Sequence, residues 1–123
     1  ASAAREEDAL GICCGAALAG VRAICLVQNA GILNTGGVLG TLANLYGVPV
    51  VLIIADRGHL GDVTIHHFEK GRSLKPFLES LRIPYYELYP DFKKKDQIDQ
   101  ALQMAEKGQN PVALLITPNT LGD

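Results

Sequence analysis

Three groups of side chains in this sequence have the chemistry to act on a small molecule. Glu6, Glu7 and Asp8 stand together just ahead of ALGICC, a run that is wholly apolar or small. Gln28, Asn29 and Asn34 lie within QNAGILN, directly after the apolar run AICLV. Arg57, His59, Asp62, His66 and His67 follow a second apolar run, VPVVLIIA. A carboxylate can hold or share a proton, and amides can orient a small polar molecule. Arg pairs with a carboxylate, sulfonate or phosphonate, and His titrates near neutrality.

Each group also has an ordinary structural explanation. An acidic first turn favours the helix dipole while facing water. A helix that continues as ALGICC, however, is of the buried kind, in which one carboxylate can be committed to a ligand. Gly36, Gly37 and Gly40 have the outline of a phosphate cradle, yet the spacing is not the dinucleotide fingerprint and no P-loop lysine follows. Asp56 and Arg57 read equally as a local ion pair. His66 and His67 lack the further ligand at helical spacing that zinc requires, so no metal site is expected in this chain. For residues 57–67 the anion-binding, proton-transferring reading and the structural one stand level.

The elements that must position these groups follow from hydrophobic patterning. Residues 5–20 read as a helix of small residues with Gly20 as its C-terminal stop. Ala23 to Val27 is a short strand, and the glycine-rich stretch from Gly31 to Gly40 leads into a helix ending near Tyr46 and Gly47. Val48 to Ile54 is a buried strand, with Pro49 tolerable only near its start. Residues 56–71 are polar and read as irregular, followed by a helix over 74–81 and a strand over 85–88. Residues 94–107 place Ile98, Leu102 and Ala105 on one helical face. The stretch from Gly108 to Pro111 breaks that helix, and 112–117 is the last strand. This alternation predicts a three-layer α/β/α fold around a mainly parallel sheet. In such a sheet the polar segments at the strand ends meet at the carboxyl edge. The chain opens on a helix where a doubly wound sheet usually opens on a buried strand, which predicts a missing first strand or reliance on a partner.

Composition bounds the rest. With 123 residues, 48% of them hydrophobic, no Trp and three Phe, the chain is one aliphatic-cored domain over residues 1–123. A net charge of −2 argues against a nucleic-acid surface, and Lys93 to Lys95 read as a solvated face. Cys13, Cys14 and Cys25 form no CxxC and cannot pair completely. They read as small buried hydrophobes in a reducing, cytoplasmic setting, with metal or redox use the minor alternative. No targeting segment is visible, and the longest apolar run is too short to span a bilayer.

Taken together, these segments resemble the pyrimidine-binding, alpha-type domain of thiamine diphosphate-dependent decarboxylases, in the sulfopyruvate and phosphonopyruvate decarboxylase branch. The shared pattern comprises Glu6 nine residues before Gly15, QNAGILN at 28–34, VPVVLIIADRGHLG at 48–61, and His67 four residues before Gly71. The closing PVALLITPN fits as well, so the match runs nearly end to end. The resemblance implies that Glu6 hydrogen-bonds the aminopyrimidine nitrogen of thiamine diphosphate as a buried carboxylate and promotes the tautomer that activates the cofactor. It implies that Gln28, Asn29 and Asn34 border the cofactor, that Arg57 and His67 meet a small anionic 2-oxo acid, and that His67 is also catalytic.

The departures from the family pattern are specific. Ala30 stands for the family's Ser, and Leu33 puts a bulky side chain where the family keeps Gly, which bears on specificity and on activity itself. The family carries roughly 40 further residues before this Glu, about one strand–helix unit of a parallel sheet. The sequence contains no GDG…N motif for diphosphate and magnesium, so the resemblance implies a beta-type partner subunit or domain for that half, and an oligomer. Two rival readings are a non-catalytic flavodoxin-like or nucleotide-binding module, and a degenerate homologue kept as a structural partner.

Overall fold

The structure, a computed structural model, describes residues 5–44, 46–56, 65–88 and 94–117. Strands β1 (Ala23–Gln28), β2 (Val50–Ala55), β3 (Tyr85–Glu87) and β4 (Val112–Ile116) form one sheet in the order β1-β2-β4-β3. Every neighbouring pair is parallel, with Ala23 opposite Val50, Val51 opposite Val112 and Tyr85 opposite Ala113. The helices between and around them are α1 (Glu6–Leu18), α2 (Asn29–Ile32), α3 (Gly36–Val38), α4 (Ile65–Ser80) and α5 (Lys94–Gly108). This is the expected three-layer α/β/α arrangement with a parallel sheet.

Strand alternation divides the core in two. Val50, Leu52 and Ile54 of β2 and Ala113 and Leu115 of β4 pack with Leu10, Cys14, Ile32, Leu39, Leu74 and Leu78. Val51, Ile53, Val112 and Leu114 face the other way, onto Ala101, Leu102 and Ala105 of α5. Because both faces of β2 are covered, its sequence is a continuous apolar run instead of an alternating one. Among the described residues the second face is covered by α5 and Leu88, over β2 and β4, and β1 has no helix there. Leu26 is consequently 72% exposed and Ile24 40% exposed.

Local chemistry explains the ends of the elements. Helix α1 stops as expected at Gly20, whose φ of +89° allows a two-bond closure. The Val21 N–H donates to the Ala16 carbonyl at 2.9 Å and the Gly20 N–H to the Ala17 carbonyl at 3.0 Å. After α5 the left-handed residue is Gln109, with φ of 51°, and not Gly108.

Three sequence expectations need correction. The strand expected from Val48 begins at Val50, because Pro49 has no N–H to give to the ladder. Residues 65–71, expected to be irregular, belong to α4, which runs from Ile65 through Pro76 to Ser80. Glu, Lys and Arg in this polar stretch are good helix formers. Burial of Leu74 and Leu78 supplies the packing that carries the helix past the hydrogen bond lost at Pro76. Residues 29–35, expected to be a loop, are helical from the first residue after β1, as α2 followed by a 3₁₀ turn over Leu33–Thr35. Ile32 and Thr35 are fully buried, and helical turns satisfy the backbone of such a segment internally where an open loop cannot. After α3 the chain continues as a π-helical stretch over Leu39–Asn44, fastened to the end of α4 by the Asn44 side chain, which donates to the Leu81 carbonyl at 2.6 Å.

Candidate active site at the carboxyl edge of the sheet

The three acidic residues at the start of α1 separate by environment. Arg5, the extended residue before the helix, donates from Nη2 to Glu7 Oε2 at 2.7 Å. Asp8 is exposed. Glu6, the first residue of α1, lays its side chain on the backbone of Gly31 in α2. A Cβ at Gly31 would stand 2.5 Å from Glu6 Cγ, 2.7 Å from Oε1 and 2.8 Å from Cδ. Only glycine leaves room for this contact. The acid and the QNAGILN segment therefore meet just beyond the carboxyl end of β1.

Glu6 is exposed in this chain, a correction to the expectation of a buried carboxylate. The apolar residues behind it do turn inward, Leu10 and Cys14 being buried, but the first turn of the helix overhangs the sheet edge. Among the described residues the Glu6 carboxylate has no hydrogen-bond or ion-pair partner.

Gln28 closes β1, opposite Ala55, and is exposed. Asn34 is exposed in the 3₁₀ turn, and Asn29 opens α2 at the same edge, its side chain lying outside the described residues. His67 lies in the first turn of α4, its side chain likewise outside them, and Arg57 lies outside the described residues altogether. The structure thus brings Glu6, Gln28 and the backbone of Asn29 and Gly31 to one edge.

Sequence reasoning missed Gly31 and took Asp56 only as a candidate ion-pair partner of Arg57. Gly31 was passed over as one glycine among many; its signal was its place between the amides. Asp56 follows β2 directly, is 2% exposed, and its N–H donates to the Ile116 carbonyl at 2.9 Å. With Thr35 at 0% and Thr117 at 6%, it completes the buried polar side chains among the described residues. Asp56 and Thr117 directly follow β2 and β4, and Thr35 closes the 3₁₀ turn beyond β1. The available signal was a carboxylate placed immediately after a buried apolar run.

Parallel strands with helices on both faces define a doubly wound α/β domain, and the polar groups beyond the strands' carboxyl ends make that edge its candidate site. No family model matches the chain. Curated relatives do. The alpha subunit of sulfopyruvate decarboxylase from Methanocaldococcus jannaschii is 36% identical over 113 residues, 92% of this chain and 67% of the relative. The alpha subunit from Methanococcus maripaludis is 32% identical over 112 residues, 91% of this chain and 67% of the relative. That from Methanothermobacter thermautotrophicus is 30% identical over 112 residues, 91% of this chain and 68% of the relative. The chain belongs to the sulfopyruvate decarboxylase alpha-subunit family, and so to a family of decarboxylase subunits.

Proposed function

We propose that the chain is the pyrimidine-binding, alpha-type subunit of a thiamine diphosphate-dependent 2-oxo acid decarboxylase acting on sulfopyruvate or phosphonopyruvate. The observation that carries this reading is the Glu6 carboxylate, seated on Gly31 and open to a ligand at the carboxyl end of β1. The residues present fit one half of the cofactor. An exposed carboxyl group able to carry a proton, above a glycine that adds no side chain, suits a ring nitrogen that accepts from it. When bound, thiamine diphosphate would supply the electron sink that decarboxylation of a 2-oxo acid needs.

The chain's own part is proton handling and orientation. Glu6 would hold a proton at its carboxyl group and donate it in a hydrogen bond to the aminopyrimidine ring nitrogen. Gln28, Asn29 and Asn34 would orient the ring and the substrate through their amides. Arg57 would pair with the second anionic group of the substrate, since a planar guanidinium matches a sulfonate or phosphonate, and His67 would move a proton beside it. The diphosphate and its magnesium ion would be held by a beta-type subunit, in a cytoplasmic oligomer. Closing that partner over the exposed Glu6 would remove its water and strengthen the interaction with the ring.

The experiment is reconstitution with a beta-type subunit, thiamine diphosphate and magnesium, following carbon dioxide release from sulfopyruvate, phosphonopyruvate and pyruvate. We expect turnover of an acid with a second anionic group, reduced by roughly 10²–10⁴-fold in Glu6→Gln. A Glu6→Gln enzyme that keeps most of its activity overturns the assignment. Leu33, standing where the family keeps glycine, favours the degenerate-homologue reading as the second choice. A complex that assembles and never turns over establishes that one.

A further inference from the structure

Three cysteines that share no sequence motif are brought together by the packing of α1 on β1. Cys14 is 0% exposed and Cys25 3% exposed, while Cys13 is only partly buried. All three belong to the same side of the sheet. The Cys13 thiol donates toward the Ile24 carbonyl oxygen, with Sγ 3.7 Å away. That carbonyl is bonded directly to the nitrogen of Cys25, which puts Cys13 Sγ within about 6.5 Å of the Cys25 Cα by backbone dimensions. After burial, the neighbouring Cys13 is the next cause that pushes the Cys25 thiol up. Cys14 cannot take the place of Cys25. Successive residues on an α-helix point about 100° apart, so Cys13 and Cys14 diverge.

We infer that Cys13 and Cys25 form a covalent oxidation site, which hydrogen peroxide converts to an intrachain disulfide tying α1 to β1. The oxidant meets Cys13 first, because that thiol alone among the three has solvent access. Burial pushes the Cys14 thiol up to about 11 and Cys25 up to about 12, so neither is a thiolate at neutral pH and neither reacts first. In the first step the Cys13 sulfur attacks one peroxide oxygen, the O–O bond breaks, and Cys13 sulfenic acid and one water form. In the second, the Cys25 sulfur attacks the Cys13 sulfur and the S–O bond breaks. The Cys25 proton leaves with the hydroxyl as a second water. Two thiols are oxidised by two electrons and one peroxide is reduced to two waters. The disulfide fixes the helix whose first residue is Glu6.

The test uses the full chain, reduced and then treated with a small excess of hydrogen peroxide under native conditions, before denaturation, alkylation with iodoacetamide and tryptic digestion. We expect alkylatable thiols to fall from three to one and the intact mass to fall by about 2 Da. Cleavage after Arg5, Arg22 and Arg57 separates Cys13 from Cys25, so the bond appears as a reducible link between peptides 6–22 and 23–57. Cys14→Ser retains the link. Cys13→Ser, at a partly exposed position that leaves the core intact, abolishes it, and closure of the wild type quickens as pH rises and Cys25 ionises. Persistence of three alkylatable thiols, oxidation of Cys13 to the sulfinic acid with Cys25 free, or links formed only between chains would each overturn the inference.

Discussion

Replacing Gly31 by Ala tests the geometry at Glu6 directly. The new Cβ would lie 2.5 Å from Glu6 Cγ and 2.7 Å from Oε1. Ordinary contact between carbon atoms is about 3.5–4.0 Å, so the Glu6 side chain must retreat by about 1–1.5 Å. It can do so cheaply, because it is exposed and the clash is with a flexible side chain, not with backbone. Alanine is also favoured over glycine in a helix by about 0.5–1 kcal/mol, and Gly31 lies in α2 with an ordinary backbone. Stability should therefore change by less than about 1 kcal/mol. Activity should not be spared. A displacement of about 1 Å at a reacting group costs roughly 10²-fold, and we expect a loss of that order in kcat of the reconstituted enzyme. Gly37→Ala is the control, since a Cβ there meets nothing within 4 Å. Urea melts and steady-state decarboxylation measure the two effects separately. A Gly31→Ala enzyme with kcat within about twofold of wild type, alongside an inactive Glu6→Gln, would refute the geometric argument while leaving the role of Glu6 standing.

Other outcomes follow from the same structure. The isolated chain should bind thiamine diphosphate weakly or not at all, because no residue motif in it holds the diphosphate and magnesium; tight, magnesium-dependent binding by calorimetry refutes this. Stability should fall as pH rises above the ordinary thiol value of 9.0, since folded Cys14 and Cys25 keep their protons to about 11 and 12 while the unfolded chain loses them. Their contribution is whole below pH 9 and gone above pH 12, and urea midpoints in Cys14→Ala should show a flatter alkaline decline. The chain should associate with itself or with a beta-type partner through the bare face of β1, where Leu26 and Ile24 are exposed. Leu26→Lys should then weaken association measured by light scattering, and a wild-type chain that stays monomeric with and without the partner refutes the expectation.

The parallel sheet was legible because β1, β2 and β4 are short apolar runs closed by glycine, proline or polar residues, and because β2 is buried on both faces. The start of the candidate site was legible too, since Glu6 heads a helix whose next turns are apolar. What escaped was set by packing across elements. A polar stretch such as IHHFEKGRS carries no clean helical period, and it becomes the first half of α4 because Leu74 and Leu78 anchor the second half. QNAGILN looked like a loop because amides and glycine dominate it, while the burial of Ile32 draws it into helical turns. Gly31 matters only through Glu6, 25 positions earlier by their numbers, and no local pattern encodes that pairing. The thiol pair was hidden for the same reason: Cys13 and Cys25 lie on different elements.

The exposure of Glu6 and the bare face of β1 have a common origin. Helices α1, α2 and α4 crowd one side of the sheet, while α5 serves the other side over β2 and β4 only. Strand β1 lies at one edge of the described sheet, and among the described residues no helix covers its exposed Ile24 and Leu26 side chains. That strand ends at Gln28, directly before the α2 turn on which Glu6 rests. On the proposed function, an exposed carboxylate that would act in a dry site and a strand with exposed apolar side chains would both be relieved by one event. A second chain docking along β1 would cover the apolar face and end beside Glu6. Burying Leu26 and Ile24 would stabilise such a docking by about 1.5–3 kcal/mol for each side chain fully covered. The same contact would exclude water from the carboxylate, so association and activation would rest on one strand. The proposal therefore requires that substitutions on the bare face of β1 lower activity through loss of the complex, with activity restored by raising the partner's concentration. A Glu6 substitution must be insensitive to partner concentration. Finding the two classes of variant rescued alike would mean that Glu6 acts through docking and not chemistry, and would break the link.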